Sequence, residues 1–152
     1  MDKICCFFGH RKIEDRERIR RQVAELVEKR IKEGFTLFLF GEFDELCHEV
    51  VSHLKQSYPQ IRRVYCVTEE RHLRQSKRPK HLTEKDYEEF SYLQPSFEYW
   101  YKRIYYRNCA MIEKSNFVLF YAEERKDSGA YKALLFAKKS KKEYVNIYSA
   151  SL

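Results

Sequence analysis

Four short groups of residues in this 152-residue chain carry side chains that could bind an anion or transfer a proton. Three of the groups contain a glycine, which lets a ligand approach the backbone because no side chain is in the way. Each group either follows an apolar run or belongs to a helical pattern. The four groups are Gly9-His10-Arg11, Gly41-Glu42-Phe43-Asp44, Arg103 with Arg107-Asn108, and Asp127-Ser128-Gly129-Ala130.

The first two groups place charged side chains directly after apolar runs. Arg11 has the forked geometry that binds phosphate or carboxylate, and His10 can donate a hydrogen bond or stack on a ring. An exposed turn explains both residues equally well. A carboxylate at Glu42 can bind ribose hydroxyls or act as an acid or base. Asp44 is expected to cap the helix that follows, which is a sufficient structural role for it.

The third group lies on a predicted helix. Asn108 is four residues from both Ile104 and Ile112, so the helical period places its amide on the apolar stripe. A buried amide needs hydrogen-bond partners, which either loop backbone or a ligand can supply. Arg103 and Arg107 are one turn apart, and they form either one cationic edge of the site or a solvated face.

The fourth group opens a helix and is the strongest phosphate-site candidate. Free backbone N–H groups at a helix N-terminus bind anions, Ser128 adds a hydroxyl, and Gly129 leaves room for the ligand to approach. Ordinary capping of the helix by Asp127 or Ser128 is the structural alternative.

Apolar runs alternate with amphipathic patterns along the chain and must position these groups. They predict strands at 3–8, 36–40, 62–67, 117–121 and 144–148, and helices at 15–34, 43–58, 99–115 and from 128 onward. Strands that are apolar throughout and separated by helices are typical of a parallel sheet covered on both faces. We therefore expect one α/β domain over residues 1–152, a Rossmann-like, doubly wound, mostly parallel sheet of about five strands with helices on both faces.

A long segment at about 67–98 interrupts this alternation. Its first part is rich in charged residues and its second part in aromatic residues. The segment is longer than the usual limit of ~12–15 residues for a loop. Such a segment is typical of a functional lid or of disorder, and an oligomer contact is an equal alternative. Thr83 and Asp86 resemble a capping pair, which predicts a short helix over 83–90.

Composition narrows the function classes. A content of 43% hydrophobic and 16% aromatic residues excludes a disordered chain, and no apolar stretch approaches the ~18 residues that span a bilayer, so we expect a cytoplasmic protein with no membrane contact. The net charge of +7 favours anionic partners. Five cysteines without a C-x-x-C pair or a converging histidine predict neither a disulfide framework nor a metal site, and we expect no cofactor.

Several motifs together resemble the YspA/YpsA-like branch of the SLOG superfamily, which joins the DNA-processing protein DprA (Smf) and the LOG phosphoribohydrolases in one Rossmann-like fold. The motifs are CCFFGHR at 5–11, GEFD at 41–44, YRNCAMIEKSN at 106–116 and SGAY at 128–131. The resemblance implies a pocket for a nucleotide or a nucleotide-derived, ADP-ribose-like ligand, and a ligand-sensing role. The pocket residues that it implies are Gly9, His10, Arg11, Gly41, Glu42, Arg107, Asn108, Ser128 and Gly129.

Two departures from the superfamily bear on activity. Relatives tend to have a longer glycine-rich turn before the FD pair, whereas here Phe40-Gly41 runs straight into Glu42. The glycine-glycine-threonine turn of the LOG enzymes is reduced to Ser128-Gly129-Ala130, without their downstream Arg and Glu pattern. The tighter loop is expected to narrow or remodel that side of the pocket, and the reduced turn argues against hydrolase activity.

Two other functions stay open. One is N-glycosidic hydrolysis of a nucleoside monophosphate, as in the LOG phosphoribohydrolases, with Glu42 as the catalytic residue. The other is DprA-like nucleic-acid binding, which the positive charge favours, although acidic residues interrupt the basic runs and make a continuous phosphate track less convincing. A homodimer is also permitted, because SLOG-like domains often pair and the chain is rich in tyrosine.

Overall fold

Six parallel strands form a single sheet in the part of the chain that the structure describes. The computed structural model describes residues 2–10, 12–42, 44–96 and 102–150, with side chains up to residue 148. The strands are β1 Lys3–Gly9, β2 Phe35–Phe40, β3 Arg62–Val67, β4 Glu89–Tyr92, β5 Phe117–Tyr121 and β6 Tyr144–Asn146. The helices are α1 Arg16–Lys32, α2 Glu45–Lys55, α3 Arg103–Lys114, α4 Gly129–Lys139 and α5 Ile147–Ala150. Two short 3-10 turns, Glu70–Leu73 and Gln75–Lys77, follow β3.

The strand order is β4-β3-β2-β1-β5-β6, and every neighbouring pair is parallel. The chain moves outward from β1 through β2 and β3 to β4, then returns to place β5 on the other side of β1. The order therefore reverses between β1 and β5, where Gly9 pairs with Tyr121 at the carboxyl ends of the two strands. In open α/β sheets this reversal is the place where ligands bind.

Alternating side chains of the strands fill two separate cores, one on each face of the sheet. On one face Phe7 stacks on Phe38 and Phe40, and α1, α2 and α5 cover them. On the other face Phe8 stacks on Phe120, under α3 and α4. This burial on both faces explains why the strands are apolar throughout, and it confirms the Rossmann-like, doubly wound α/β fold.

The segment after β3 contributes a sixth strand where about five strands were expected. Residues 83–90 do not form the predicted helix. Thr83 Oγ1 donates to Asp86 Oδ2 at 2.9 Å, but the residues between them make a turn, and β4 begins at Glu89. The backbone of β4 pairs with β3 instead, and Tyr87 and Phe90 pack with Tyr65 in an aromatic cluster.

Several other element boundaries differ from the sequence expectation, among them the end of α2, which is Lys55 rather than residue 58. The helix expected over 99–115 begins, as described, at Arg103, and residues 99–101 of that prediction lie outside the described residues. The last strand ends at Asn146 rather than 148, since α5 begins at Ile147. In α2 the helix starts at Glu45, two residues later than expected.

None of the helices in the described part of the chain combines the length and the apolar character that crossing a bilayer requires.

Candidate ligand-binding cavity

A cavity of about 220 Å³ opens at the carboxyl ends of β1 and β2 and extends to Arg125, which follows β5, so it adjoins the reversal of strand order between β1 and β5. The first turns of α3 and α4 close it from the other side. The strands supply their last residues because parallel strands all end at this edge, and the two helices supply their N-termini because both begin there. Its lining residues are Phe7, Phe8, Gly9, His10, Gly41, Glu42, Ile104, Arg107, Asn108, Arg125, Ser128, Gly129 and Ala130.

Eight of the nine predicted site residues line this one cavity. They come from four segments that are up to 120 positions apart in the sequence, between Gly9 and Gly129. The ninth, Arg11, lies outside the described residues. The structure therefore brings the predicted residues together, and their role in binding a ligand stays a prediction.

Arg107 is the buried cation of the cavity, with only 3% of its surface exposed. Its Nη1 donates to the Cys66 carbonyl at 3.3 Å, and its Nε and Nη2 donate to Asn108 Oδ1 at 3.3 and 3.2 Å. The oxygen of the buried Asn108 amide thus accepts hydrogen bonds from the neighbouring guanidinium, a role that the sequence did not suggest. Arg103 points elsewhere: its side chain is 66% exposed and pairs with Glu69 at 2.8 Å, so the two arginines do not form one cationic edge.

The glycine that follows β2 lies directly against this arginine. A Cβ atom at Gly41 would lie 2.7 Å from Arg107 Nη2 and 2.8 Å from Cζ, well inside van der Waals contact. The guanidinium therefore packs directly on the Gly41 backbone. In contrast, a Cβ at Gly9 would meet Tyr121 Cβ at an ordinary 3.7 Å, and one at Gly129 would meet no protein atom within 4 Å among the described residues.

Asp44 does not cap α2 with its side chain, contrary to the sequence expectation. Its carboxylate accepts the Gly41 N–H at 2.7 Å and so fixes the turn that leads from β2 to the cavity rim. Burial raises the pKa of Asp44 to about 7, against the opposing effects of this hydrogen bond and of the Arg107 charge. Glu42, in the same turn, is exposed at the rim of the cavity.

His10 connects the ends of β1 and β5. Its Nε2 accepts the Glu123 N–H at 2.6 Å, and its Nδ1 lies 3.2 Å from Arg125 Nη2 and 3.5 Å from Ser128 Oγ. The pKa of His10 is lowered, mainly by burial and then by the Arg125 charge. Arg125 was not predicted as a site residue, because a single arginine in the charged run EERKD carries no periodic or glycine signal.

Ser128 caps α4, as the structural alternative predicted, and it also lines the cavity. Its Oγ accepts the Tyr131 N–H at 3.2 Å. The N–H groups of Gly129 and Ala130 lie in the first turn of α4. No helical carbonyl precedes them by four residues, so they have no hydrogen-bond partner within the helix. Capping and ligand contact are compatible here, since the hydroxyl uses one lone pair for Tyr131, and Ser128, Gly129 and Ala130 all line the cavity.

The cavity continues into an outer groove of about 610 Å³. The two share four lining residues, Glu42, Ile104, Asn108 and Gly129. Ile104 is 49% exposed at this boundary, so it presents an apolar surface to a ligand that occupies both volumes. Lys102, Arg103, Tyr105 and Lys132 add cationic and aromatic groups to the outer groove.

A larger groove of about 790 Å³ lies against the outer sides of α3 and α4. Lysines, Leu135 and Phe136 line it, and no predicted site residue does. We assign the site to the smaller cavity because it lies at the reversal of strand order and contains the buried guanidinium. Among the described residues there is no group of three side chains arranged to hold a metal ion.

Known proteins resemble this chain in fold rather than in sequence. No protein-family profile and no curated protein sequence matches it. The X-ray structure of DNA processing protein A (DprA) from Streptococcus pneumoniae superposes with a TM-score of 0.61 over 94% of this chain, at 12% sequence identity. The chain spans about half of the length of that structure, 49%. The protein thus shares the Rossmann-like architecture of DNA processing protein A.

Proposed function

We propose that this protein binds a nucleotide or a nucleotide-derived, ADP-ribose-like ligand in the cavity at the carboxyl ends of β1 and β2. One observation carries the proposal: the buried guanidinium of Arg107 and the N-terminus of α4 face the same cavity. A guanidinium that is removed from water favours an anion as its partner, and the free N–H groups of a helix N-terminus favour the same ligand.

The size of the cavity determines how such a ligand is distributed. Its volume of about 220 Å³ is below the roughly 300–1,000 Å³ of sites that enclose a drug-sized molecule. We therefore assign the phosphates and the ribose to the inner cavity and the base to the outer groove. Glu42 lies where the two volumes meet, in position to accept hydrogen bonds from ribose hydroxyls.

The wider relationship is part of the same proposal. The sequence motifs resemble the SLOG superfamily, and the shared fold with DNA processing protein A is consistent with that membership. The YspA/YpsA-like branch, the sensing role and a homodimer follow from the resemblance, and each needs its own measurement. Light scattering that finds a single protomer mass across concentrations would remove the homodimer.

Isothermal titration calorimetry with AMP, ADP, ADP-ribose and cyclic nucleotides tests the proposal directly. We expect binding of at least one of them by the wild type and its loss in Arg107→Ala. Arg62→Ala is a matched control, since Arg62 is a half-exposed arginine at the opposite, amino end of the strands. No heat from any ligand with the folded wild type, or equal losses in both variants, would overturn the proposal.

Nucleic-acid binding is the second candidate. It is favoured by the net charge of +7 and by the fold shared with a protein named for DNA processing. It predicts retention of single- or double-stranded DNA at low salt, with an affinity that falls steeply as salt rises. A gel shift with no retention at low salt excludes it.

Catalysis is the third candidate and depends on Glu42. An N-glycosidic hydrolase would release free base from a nucleoside monophosphate, and Glu42→Gln would abolish the release. Product analysis by chromatography at high protein concentration separates this function from binding, because a binding domain leaves the nucleotide intact.

A further inference from the structure

Asp44 is a buried carboxyl group next to the ligand cavity, and the proposed function does not use it. Only 7% of the residue is exposed. It lines a separate internal cavity of about 20 Å³ and is not among the residues that line the ligand cavity. Asp44 therefore acts on a bound ligand through the charge of its carboxyl group and through the residues that lie between the two.

Gly41 connects Asp44 to the cation of the ligand cavity. The Gly41 N–H donates to Asp44 Oδ2 at 2.7 Å. The Arg107 guanidinium packs on the same glycine, where a Cβ atom would lie 2.7 Å from Nη2. A single residue thus separates the carboxyl group from the guanidinium, and their charges interact through the interior of the protein, where water screens them little.

Two charged side chains and five neutral ones, among the described residues, act on Asp44 from the elements packed around it. Arg107 on α3 favours the ionised carboxylate, and Glu42 in the turn after β2 opposes it. The neutral side chains are thiols and phenols on β1, α2, β3 and the segment before β4. Burial raises the pKa of each of them, so they stay uncharged at neutral pH. They are Cys6, Cys47, Tyr65, Cys66 and Tyr87.

The carboxyl group itself changes charge near neutral pH. Burial raises the pKa of Asp44 to about 7, although the hydrogen bond from Gly41 and the charge of Arg107 both lower it. An ionised Asp44 offsets part of the Arg107 charge, whereas a protonated Asp44 leaves the whole of that charge to an anion in the cavity.

We propose that an anion binds in this cavity together with a proton, which Asp44 takes up, so that the affinity for the anion falls as the pH rises. This inference rests on the proposed function and names a regulation of the same site. Because coupling between two sites is reciprocal, the bound anion favours the protonated form of Asp44 to the same degree as protonation favours the anion.

The hydrogen bond from Gly41 determines which oxygen carries the proton. Oδ2 accepts the Gly41 N–H, so the proton that comes from solvent forms its bond with Oδ1. The turn that holds Arg107 is therefore kept in both states, and only the charge beside it changes. The affinity begins to fall near the pKa of Asp44 in the free protein, about 7, and stops falling above the higher pKa that Asp44 has in the complex.

Calorimetry with ADP-ribose tests the coupling on the full chain. The diphosphate of this probe keeps its charge near neutral pH, whereas a phosphate monoester titrates at about pH 6. Between pH 5.5 and 8.5 we expect the affinity of the wild type to fall about five- to tenfold. At pH 7, titrations in buffers of different ionisation enthalpy should show net uptake of a proton. An affinity that does not change with pH would overturn the inference and leave the proposed function standing.

Two variants identify the group that takes up the proton. Asp44→Asn is a neutral mimic of the protonated carboxyl group and should bind ADP-ribose without proton uptake and with little pH dependence. His10→Gln is the control, because His10 also lines the cavity and has a pKa that burial, and then the Arg125 charge, lower from its ordinary value. The fall in affinity should persist in His10→Gln. A fall that persists in Asp44→Asn and disappears in His10→Gln would overturn the inference.

Carbon-13 nuclear magnetic resonance of the Asp44 carboxyl group keeps the inference testable if Asp44→Asn does not fold or ADP-ribose does not bind. The signal is assigned through the backbone of the wild type and titrated with pH. Saturating ADP-ribose, or sulfate where ADP-ribose does not bind, should move the midpoint upward relative to chloride at equal ionic strength. An unchanged midpoint overturns the coupling. An upward movement with sulfate, without binding of any nucleotide, overturns the proposed function and leaves the coupling standing.

Discussion

Arg63 and Arg107 are both buried arginines, yet their partners differ. Arg63, on β3, donates through Nε and Nη2 to the carboxylate of Glu88 and also to Ser52 Oγ and the Lys85 carbonyl. Arg107 donates to the Asn108 amide oxygen and the Cys66 carbonyl, and a hydrogen bond with Tyr65 and the charge of Asp44 add to these contacts. The charge of Arg63 is therefore neutralised by a direct carboxylate pair, whereas Arg107 lines a cavity and forms no direct carboxylate pair among the residues that the structure describes.

The carboxyl groups near the two arginines show the same difference. Burial on its own raises the pKa of Glu88, but the hydrogen bonds and charge of Arg63 outweigh burial, so the pKa is lowered. For Asp44, near Arg107, burial prevails and raises the pKa to about 7. The carboxylate of Glu88 is paired with Arg63 and ties the segment after β3 to the sheet, whereas the carboxyl group of Asp44 contacts the turn at Gly41 and is less fully compensated. We interpret the first arginine as structural and the second as functional.

Removing Arg63 should have the largest effect on stability. Arg63→Met leaves the carboxylate of Glu88 without its partner, so we expect the free energy of unfolding to fall by roughly 3 kcal/mol. Urea denaturation measures it. Arg62→Met is the control, because Arg62 is a half-exposed neighbour whose ion pairs with Asp2 and Glu89 are worth at most ~1 kcal/mol. Similar losses in the two variants would contradict the structural role of Arg63.

Removing Arg107 should affect binding more than stability. Arg107→Ala takes away a desolvated cation, and we expect the affinity for the nucleotide ligand to fall roughly 100-fold, or about 3 kcal/mol. The loss in the free energy of unfolding should be smaller than for Arg63→Met. Calorimetry and urea denaturation on the same samples measure both quantities. A variant that loses as much stability as Arg63→Met and binds normally would make Arg107 a second structural arginine.

The two carboxyl groups should give opposite pH dependences. Asp44 has a raised pKa, so its contribution to stability is complete below pH 3.8 and is lost as the pH rises through about 7. Between pH 5.5 and 8.5 the free energy of unfolding of the wild type should fall by on the order of 1–2 kcal/mol as Asp44 loses its proton. Asp44→Asn should not show this fall, and urea denaturation at each pH measures it.

Glu88→Gln provides the opposite case for that comparison. The pKa of Glu88 is lowered, so its contribution is present above pH 4.5 and is lost as the pH falls through the folded-state value. Relative to the two variants, the stability of the wild type should therefore fall with rising pH at Asp44, between pH 3.8 and about 7, and rise with pH at Glu88, below pH 4.5. Slopes of the same sign would mean that the two carboxyl groups lie in equivalent environments.

Two glycines provide the smallest and most local test. Gly41→Ala must displace the Arg107 guanidinium, since the new Cβ would lie 2.7 Å from Nη2, and we expect about a tenfold loss of nucleotide affinity. Gly9→Ala is the comparison variant at the end of the adjacent strand: Gly9 also lines the cavity, but its Cβ would meet only an ordinary contact at 3.7 Å and leaves Arg107 in place. Calorimetry distinguishes them. Equal affinities in both variants would show that the position of Arg107 does not matter for binding.

Much of the site could be predicted because strand ends and helix starts carry local signals. Gly9 and Gly41 follow continuous apolar runs, and Ser128-Gly129 precedes an amphipathic pattern, so each position was evident without knowledge of the fold. Arg125 had no such signal. Its place at the cavity depends on His10, which contacts it across 115 positions of the sequence.

Other features were wrong or incomplete for the same reason. A local rule predicted that Asp44 caps α2. In the folded chain its carboxylate instead accepts a hydrogen bond from the Gly41 N–H. The predicted helix over 83–90 followed another local rule, and the edge of β3 together with the aromatic cluster around Tyr87 overrode it. In both cases a tertiary contact outweighed the structure that the local sequence favours.

By itself, the sequence determined that this chain alternates buried strands with amphipathic helices and that its glycines lie at the ends of those elements. Only the tertiary structure decided that β5 returns to the side of β1 opposite β2, that Arg107 turns inward while Arg103 turns out, and that β4 completes the sheet. The physical reason is that periodicity reports the burial of each residue within its own element. The choice of neighbouring strands depends on packing summed over the whole chain.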